Sequence, residues 1–373
     1  MAALGKHITV LVSNDLQHDQ RVAKVCATLL EMGFRITLVG RLLPDSTSFE
    51  RPYEIRRFRL WFRSGALFYA VLNVRLFFYL LFKRTDIILA NDLDTLLPAF
   101  IVARMKGKEL VYDSHEYFTE AEGLTNRPLP KKLWLSIEGF IFPKLKHVIT
   151  VNETIANIYR ALYHVPVQVV RNVPVLRSES VKATREELGL PGDKRIILLQ
   201  GAYIDPDRGG MELAQSMAFL EGVLLLIIGS GRDLENIKRV VAERNLQERV
   251  KFIAKLPFTD LQRYTAVADV GVSLDKPLHL NYAYSLPNKL FDYIHAGLPV
   301  LVSDLPELRR VVEGYEIGKV VSRVEPREIA SALQNMFEGG ELEMWRTNAR
   351  KAARELNWQR EQEVIRNVYG PLR

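Results

Sequence analysis

At 373 residues, with 48% hydrophobic and 25% charged side chains, the chain has the composition of an ordinary soluble protein, which excludes disordered, collagenous and coiled-coil classes. It is longer than the size at which a single hydrophobic core usually stops growing, so two domains, and with them a cleft, are expected. The formal net charge is +7, and segment 51–84 sets eight cations against Glu54 alone, an excess that equals the whole of it.

In chain order, the N-terminus MAALGKHITV has neither the charged start nor the long apolar stretch of a secretory signal, and one cysteine cannot form an intrachain disulfide. A cytoplasmic protein is the expectation. HITVLV reads as a first strand, and Asp15, Asp19 and Arg21 in SNDLQHDQRV suit the capping of a following helix. In that helix Val22, Val25, Cys26, Leu29 and Leu30 form one apolar stripe with Gly33 as a left-handed stop, so Cys26 reads as a small core residue. RITLVG returns as the second strand.

Within the basic segment lies ALFYAVLNVRLFFYLLF, interrupted by Asn73 and Arg75, which is too short and too charged for a membrane span. Two readings stay open. One is a core helix with basic flanks on solvent. The other is an interfacial helix whose Trp61, Phe62, Phe68, Phe77 and Phe78 rest on anionic lipid headgroups, each flanking cation adding about 1 kcal/mol. No nucleic-acid motif accompanies the charge, and no nucleic-acid partner is expected. DIILA, ELVYD and HVITV continue a βαβ alternation. Asp92-Leu93-Asp94 falls where acids stabilise a helix start, so it is not read as a metal site. His115 and Glu116 stand just past a strand, where a histidine is more often structural than catalytic.

VVRNVPVLRSESVKATREELGLPGD then breaks the pattern and places a junction near Pro174 to Ser180. The expected layout is a first domain over 1–176, a second over 177–350, and a C-terminal helix over 351–373 that crosses back to the first. Glu341 to Tyr369 reads as one long polar helix with Trp345, Trp358, Val364 and Ile365. RIILLQG, VLLLIIGSG, RVKFIA, DVGVSL and LPVLVS restart the strand series. Two doubly wound domains that face each other would bring the carboxyl ends of their strands to a shared crevice, where open α/β sheets bind ligands.

In the second series LLQGAYIDPDRGG offers Gly201, Gly209 and Gly210 for close backbone approach to a phosphate, and Arg208 as a planar fork for two of its oxygens. Gly229-Ser230-Gly231 is a tight strand-to-helix turn, often structural in purpose. In YSLPNKLFDYIHAGLPVLVSDLP, Pro287 suits a helix start, Lys289 adds a charge where the helix dipole already favours an anion, and Asp292 stands one turn deeper, placed for a ribose diol. Alone, Lys289 and Asp292 better suit an ordinary surface helix pair.

PNKLFDYIHAGLPVLVSDLPELRRVV resembles the donor-binding stretch of retaining GT-B glycosyltransferases, particularly the large family four, and the resemblance covers essentially the whole chain in order. It implies an α/β, GT-B fold of two Rossmann-like doubly wound domains facing a central cleft. It also implies a hexosyltransferase-type enzyme that moves a sugar from a nucleotide diphosphate sugar to an acceptor with retention; the basic, aromatic segment 51–84 adds the expectation of a saccharide or lipid-linked acceptor in cell-surface glycan synthesis. On the same resemblance His115, Arg208 and Lys289 are the catalytic candidates, with His115 near the transferred sugar. The donor is held by Gly201, Arg208, Gly229, Ser285, Leu286, Lys289 and Asp292. Asp15, Asp19 and Arg21 add some contact to acceptor. Neither a cofactor nor a catalytic metal is expected. Many members have Glu where Asp292 stands and a second Glu eight residues earlier, where this chain has Tyr284; Asn281, Tyr284 and Ser285 are candidates near the sugar. On the interfacial reading of 51–84, the remaining partner is an anionic membrane surface at the inner face of the cell membrane. The alternatives are a nucleotide-sugar epimerase of GT-B fold and a non-catalytic sugar-nucleotide-binding protein.

Overall fold

The computed structural model describes residues 5–17, 19–177 and 181–373. The chain divides into two compact units, Met1–Asn172 with Gln359–Arg373, and Val173–Trp358. The Ser178 to Ser180 part of the expected junction lies outside the described residues. Trp358 and everything back to Val173 belong to the second unit, so the segment expected over 351–373 is shared between the two.

The first unit runs β1 (His7–Leu11), α1 (Gln20–Glu31), β2 (Arg35–Leu42), β3 (Glu54–Arg59), α2 (Gly65–Phe82), β4 (Ile87–Asn91), α3 (Leu93–Lys106), β5 (Glu109–Ser114), α4 (Glu122–Thr125), α5 (Pro128–Ile141), β6 (His147–Thr150), α6 (Glu153–Tyr163) and β7 (Val167–Val169). Its seven strands are parallel in the order β3-β2-β1-β4-β5-β6-β7. Every residue of β1 and β4 is buried, as a parallel sheet covered on both faces requires. The chain leaves β1 toward one side of the sheet and β4 toward the other, so the switch point lies between them.

The second unit runs β8 (Arg195–Gly201), α7 (Gly210–Ser216), β9 (Val223–Gly229), α8 (Leu234–Glu243), β10 (Val250–Ala254), α9 (Phe258–Val267), β11 (Val270–Ser273), α10 (Leu280–Ala283), α11 (Asn288–Ala296), β12 (Val300–Ser303), α12 (Pro306–Tyr315), β13 (Gly318–Val321), α13 (Pro326–Glu338) and α14 (Leu342–Ala353). The parallel order β10-β9-β8-β11-β12-β13 is the Rossmann order, with its switch point between β8 and β11. Alternate strand residues build a core on each face. Ile197, Leu199, Leu225 and Ile227 pack with α7 and α13, and Ile196, Leu198, Leu224 and Leu226 with α11 and α12. A last helix, α15 (Trp358–Tyr369), returns the chain to the first unit, where Tyr369 meets Phe34 edge-on and buried Glu361 pairs with Arg171 at 2.7 Å.

Several expectations change. The long polar helix is two helices, broken at Arg354–Asn357, where Leu356 turns into the core and its carbonyl meets His295 Nε2 at 2.8 Å. The basic segment is not helix alone: Arg56, Arg57 and Arg59 lie on β3, an edge strand whose charges discourage pairing with another chain. In α2, Phe68, Leu72, Leu76 and Leu80 at i, i+4 spacing are buried, while Leu67, Val74, Phe78 and Phe82 on other faces are exposed. By length and composition this helix could cross a membrane, yet one face packs inside the unit and Arg75 Nη1 donates to the Arg59 carbonyl at 2.7 Å.

Asp19 caps α1 as expected, accepting from Val22 N at 3.0 Å, and Asp15 accepts from Gln17 N at 3.3 Å in the preceding turn. Arg21 is no cap. It is buried, forks onto Asp113 at the end of β5 (Nη2–Oδ1 2.6 Å, Nε–Oδ2 3.1 Å), and donates to the Val170 carbonyl. Cys26 is fully buried, and burial pushes its thiol up to about 12. Arg21→Met leaves the Asp113 carboxylate buried without its fork, which costs about 3–5 kcal/mol; thermal denaturation checks this, and a shift within the range of a surface substitution would contradict it.

Candidate active site

In the second unit, β8 and β11 end side by side at the switch point, and the loops that follow carry the charges. Ser273 closes β11, Leu274 turns, and Asp275 follows with no solvent exposure at all. A buried carboxylate must be paired. Arg208 Nη1 donates to Asp275 Oδ1 at 2.6 Å and Lys289 Nζ lies 3.5 Å from Oδ2, while Ser273 Oγ donates at 2.7 Å. Burial works against the charge on Asp275, but Lys289 and then Arg208 outweigh it and hold the carboxyl below its usual value. Burial lowers Lys289, with Asp275 opposing.

The backbone puts those cations in place. Gly209 has φ +67°, and a Cβ there would lie 2.3 Å from the Leu274 carbonyl, so only glycine lets the Arg208 loop close against the end of β11. The guanidinium of Arg208 also stands 4.5 Å from the Tyr282 ring centroid. Pro287 is the N-cap of α11 and Lys289 lies in its first turn, so the unpaired N–H groups and the positive dipole end point the same way as the Lys289 charge. Asp292, one turn on, accepts from Gln200 Nε2 at 3.1 Å. Arg208, far in sequence from Lys289 and Asp292, is thus brought to one switch point with them.

The remaining donor-side residues differ in what they offer. A Cβ at Gly201 would meet only ordinary contacts, so packing does not require glycine there. Gly229 is required by packing: it sits at φ +149°, paired in register with Gly201, and a Cβ would lie 1.8 Å from the Gly201 carbonyl. Ser285 Oγ donates to the Tyr282 carbonyl at 2.9 Å, and Leu286 packs on the core, which leaves chiefly its backbone for a ligand. Sequence reasoning missed Asp275, Gln200 and Tyr282. The signal for Asp275 was slight: an acid stands just past a buried apolar strand, but nothing in the sequence names the cations that meet it.

In the first unit the ends of β1, β4 and β5 carry Ser13, Asp92, Asp94, Asp113, His115 and Glu116. Asp92 has φ 60° and ψ 164°, a region almost confined to glycine, and it opens α3. It does not cap that helix with its side chain. Its Oδ1 instead accepts from His115 N at 2.8 Å, and Oδ2 lies 3.5 Å from His115 Nδ1. On its other side His115 Nε2 lies 3.1 Å from Asn91 Oδ1 and 3.5 Å from Asp113 Oδ2. Burial disfavours the imidazolium, but Asp92 and Asp113 together lift His115 to about 9.

At neutral pH His115 is therefore a cation with both nitrogens as donors, able to orient an oxygen but not to accept a proton. Its raised value adds stability that is complete below the unfolded value of about 6.5 and is lost as pH rises toward the folded one. His115→Gln should flatten the fall in Tm across that alkaline window; thermal melts from neutral to alkaline pH check this, and an unchanged slope would contradict it.

Two family models match consecutive parts of the chain: Glycosyltransferase Family 4 over residues 20–174 and Glycosyl transferases group 1 over 180–352. A phosphatidyl-myo-inositol mannosyltransferase from Mycobacterium leprae is 26% identical over 204 residues, which are 51% of this chain and 50% of that protein. The match thus spans about half of that relative's length. Sucrose-phosphate synthase from Thermosynechococcus elongatus superposes with a TM-score of 0.80 at 18% identity, covering 98% of this chain and 99% of that one. Anabaena Alr3699/HepE in complex with UDP-glucose does so with a TM-score of 0.73 at 14% identity, covering 98% and 100%. With two parallel sheets, the second in Rossmann order, and both halves matched in sequence, the chain belongs to the group 1 glycosyltransferases of GT-B fold.

Proposed function

We propose that the chain transfers a hexosyl group from a nucleotide diphosphate sugar to a saccharide or lipid-linked acceptor, with retention of configuration, in cell-surface glycan synthesis. The observation that carries this is the meeting of Arg208 and Lys289 on buried Asp275 at the N-terminus of α11. Two cations and a helix N-terminus at a switch point suit a diphosphate. Gly201 is free of steric need within the unit and so suits close approach of a phosphate. Asp292 has the carboxylate for a ribose diol, with Gln200 as its companion. The complex of the Anabaena protein with UDP-glucose supports the donor class.

In this reading Arg208 and Lys289 neutralise the departing diphosphate, and that stabilisation carries most of the catalysis. His115 donates to a sugar oxygen, and its protonated state removes it as a base. No metal or cofactor takes part. Tyr284 replaces the more usual glutamate beside the sugar, so an epimerase and a binding protein without transfer remain the rival readings. Donor incubated alone separates the three: an isomer marks the epimerase, slow hydrolysis the transferase, unchanged donor the binding protein.

The protein is proposed to work in the cytoplasm at the inner face of the cell membrane. Exposed Phe78 and Phe82 on α2, with Trp61 before it, form an apolar surface beside a basic segment, the combination that suits anionic lipid. Phe78→Glu with Phe82→Glu should abolish flotation with anionic liposomes at low salt, and flotation equal to wild type would remove this surface from the account. For the donor, a thermal-shift panel of UDP, GDP, ADP and CMP with their sugar conjugates should give one selective stabilisation that Lys289→Ala and Asp292→Ala both weaken. A panel without response at millimolar concentration, or variants that respond like wild type, would overturn the assignment.

A further inference from the structure

Asp94 is a buried carboxyl group that the donor chemistry does not use. It lies in the first turn of α3, 4% exposed, and its Oδ1 has no hydrogen-bond partner. Among the described residues it makes no ion pair, and the hydroxyl of Ser13, just past β1, is its side-chain contact. The groups that face it are Asp92 from the β4–α3 turn, His115 and Glu116 from the end of β5, and Tyr69 from α2. Asn73, also on α2, donates to its main-chain carbonyl at 2.9 Å and fixes the turn. Burial and then Asp92 push the Asp94 carboxyl up to about 7.

An unpartnered oxygen in a buried carboxyl costs stability, and one at a switch point calls for a ligand as its explanation. The surroundings select the ligand class. Arg21 neutralises Asp113 and His115 neutralises Asp92, while Glu116 adds negative charge, so a phosphate or carboxylate would be repelled. A carboxyl that is protonated for much of the time both donates and accepts, which matches a sugar hydroxyl.

We propose that Asp94 is the acceptor-contacting residue of the first unit, its unpartnered oxygen taking one hydroxyl of a neutral saccharide. The proposal rests on the glycosyl-transfer reading and adds the acceptor site to it. It also ties that site to α2, which carries Tyr69 and Asn73 beside Asp94 and exposed apolar side chains on another face, as an acceptor anchored in lipid would need.

The test compares wild type with Asp94→Ala, which removes both the donor and the acceptor, using the nucleotide sugar that stabilises wild type most and octyl glucoside, octyl galactoside and octyl mannoside as acceptors. Asp94→Ala should raise the acceptor KM at least tenfold while the donor KM, donor hydrolysis and nucleotide-induced Tm shift stay within twofold of wild type. An acceptor KM within twofold of wild type would overturn the proposal, as would a variant whose own Tm falls well below wild type, since that marks a structural carboxyl. If wild type binds nucleotide but transfers to none of the glycosides, the neutral-saccharide class is wrong and the donor site stands. If it binds no nucleotide, the transfer reading itself falls.

Discussion

The second unit is organised by a carboxylate with no access to solvent, Asp275, and by what its charge demands of its neighbours. A buried carboxylate is tolerable only beside cations and donors that replace its lost water. Arg208 comes from the loop after β8 and Lys289 from the start of α11, so one carboxylate at the end of β11 fixes two otherwise independent segments. Ser273 and the glycine at position 209 serve the same point, one by donating to Asp275 and the other by allowing the loop to close. Asp275 fixes the positions of both cations, and fixed charges in a site of low polarity act more strongly on an anion than mobile ones in water.

The first unit uses related physics for another purpose. There Arg21 forks onto Asp113, and His115 stands between Asp113 and Asp92. Charges pair off, so that site has no standing attraction for an anion. The unusual backbone of Asp92 is the local cost of turning its carboxylate toward His115 rather than onto its own helix. One switch point gathers cations around a buried carboxylate, the arrangement proposed above for a diphosphate; the other holds a network of paired charges.

The legible part of the fold was its buried strands, because a parallel sheet covered on both faces writes long apolar runs such as VLLLIIG into the sequence. The edge strands β3, β7 and β13 write no such run and are not legible in it, although the edge strand β10 is, as RVKFIA. EIRRFR shows chiefly its charge, although its arginines stand on a sheet edge. Lys289 and Asp292 after Pro287, and Arg208 among its glycines, are weak signals alone and stand out as a site only through the resemblance of those stretches to the family. Asp275 was not legible, since DVGVSLDKP shows neither how deeply Asp275 lies nor which cations meet it. Arg21 suggests a cap because its partner is 92 positions away. The break near Asn357 is hidden by a sequence polar enough to continue as helix.

The account's central claim is that Asp275 places Arg208 and Lys289 for a diphosphate, and titration calorimetry of UDP and GDP into wild type and Asp275→Asn tests it most directly. Simple charge counting says that removing a negative group should tighten the binding of an anion. The opposite is predicted, a loss of affinity, because the cations lose their fixed positions and Lys289 loses the charge that opposes the lowering effect of burial. Equal or tighter binding by Asp275→Asn would contradict it.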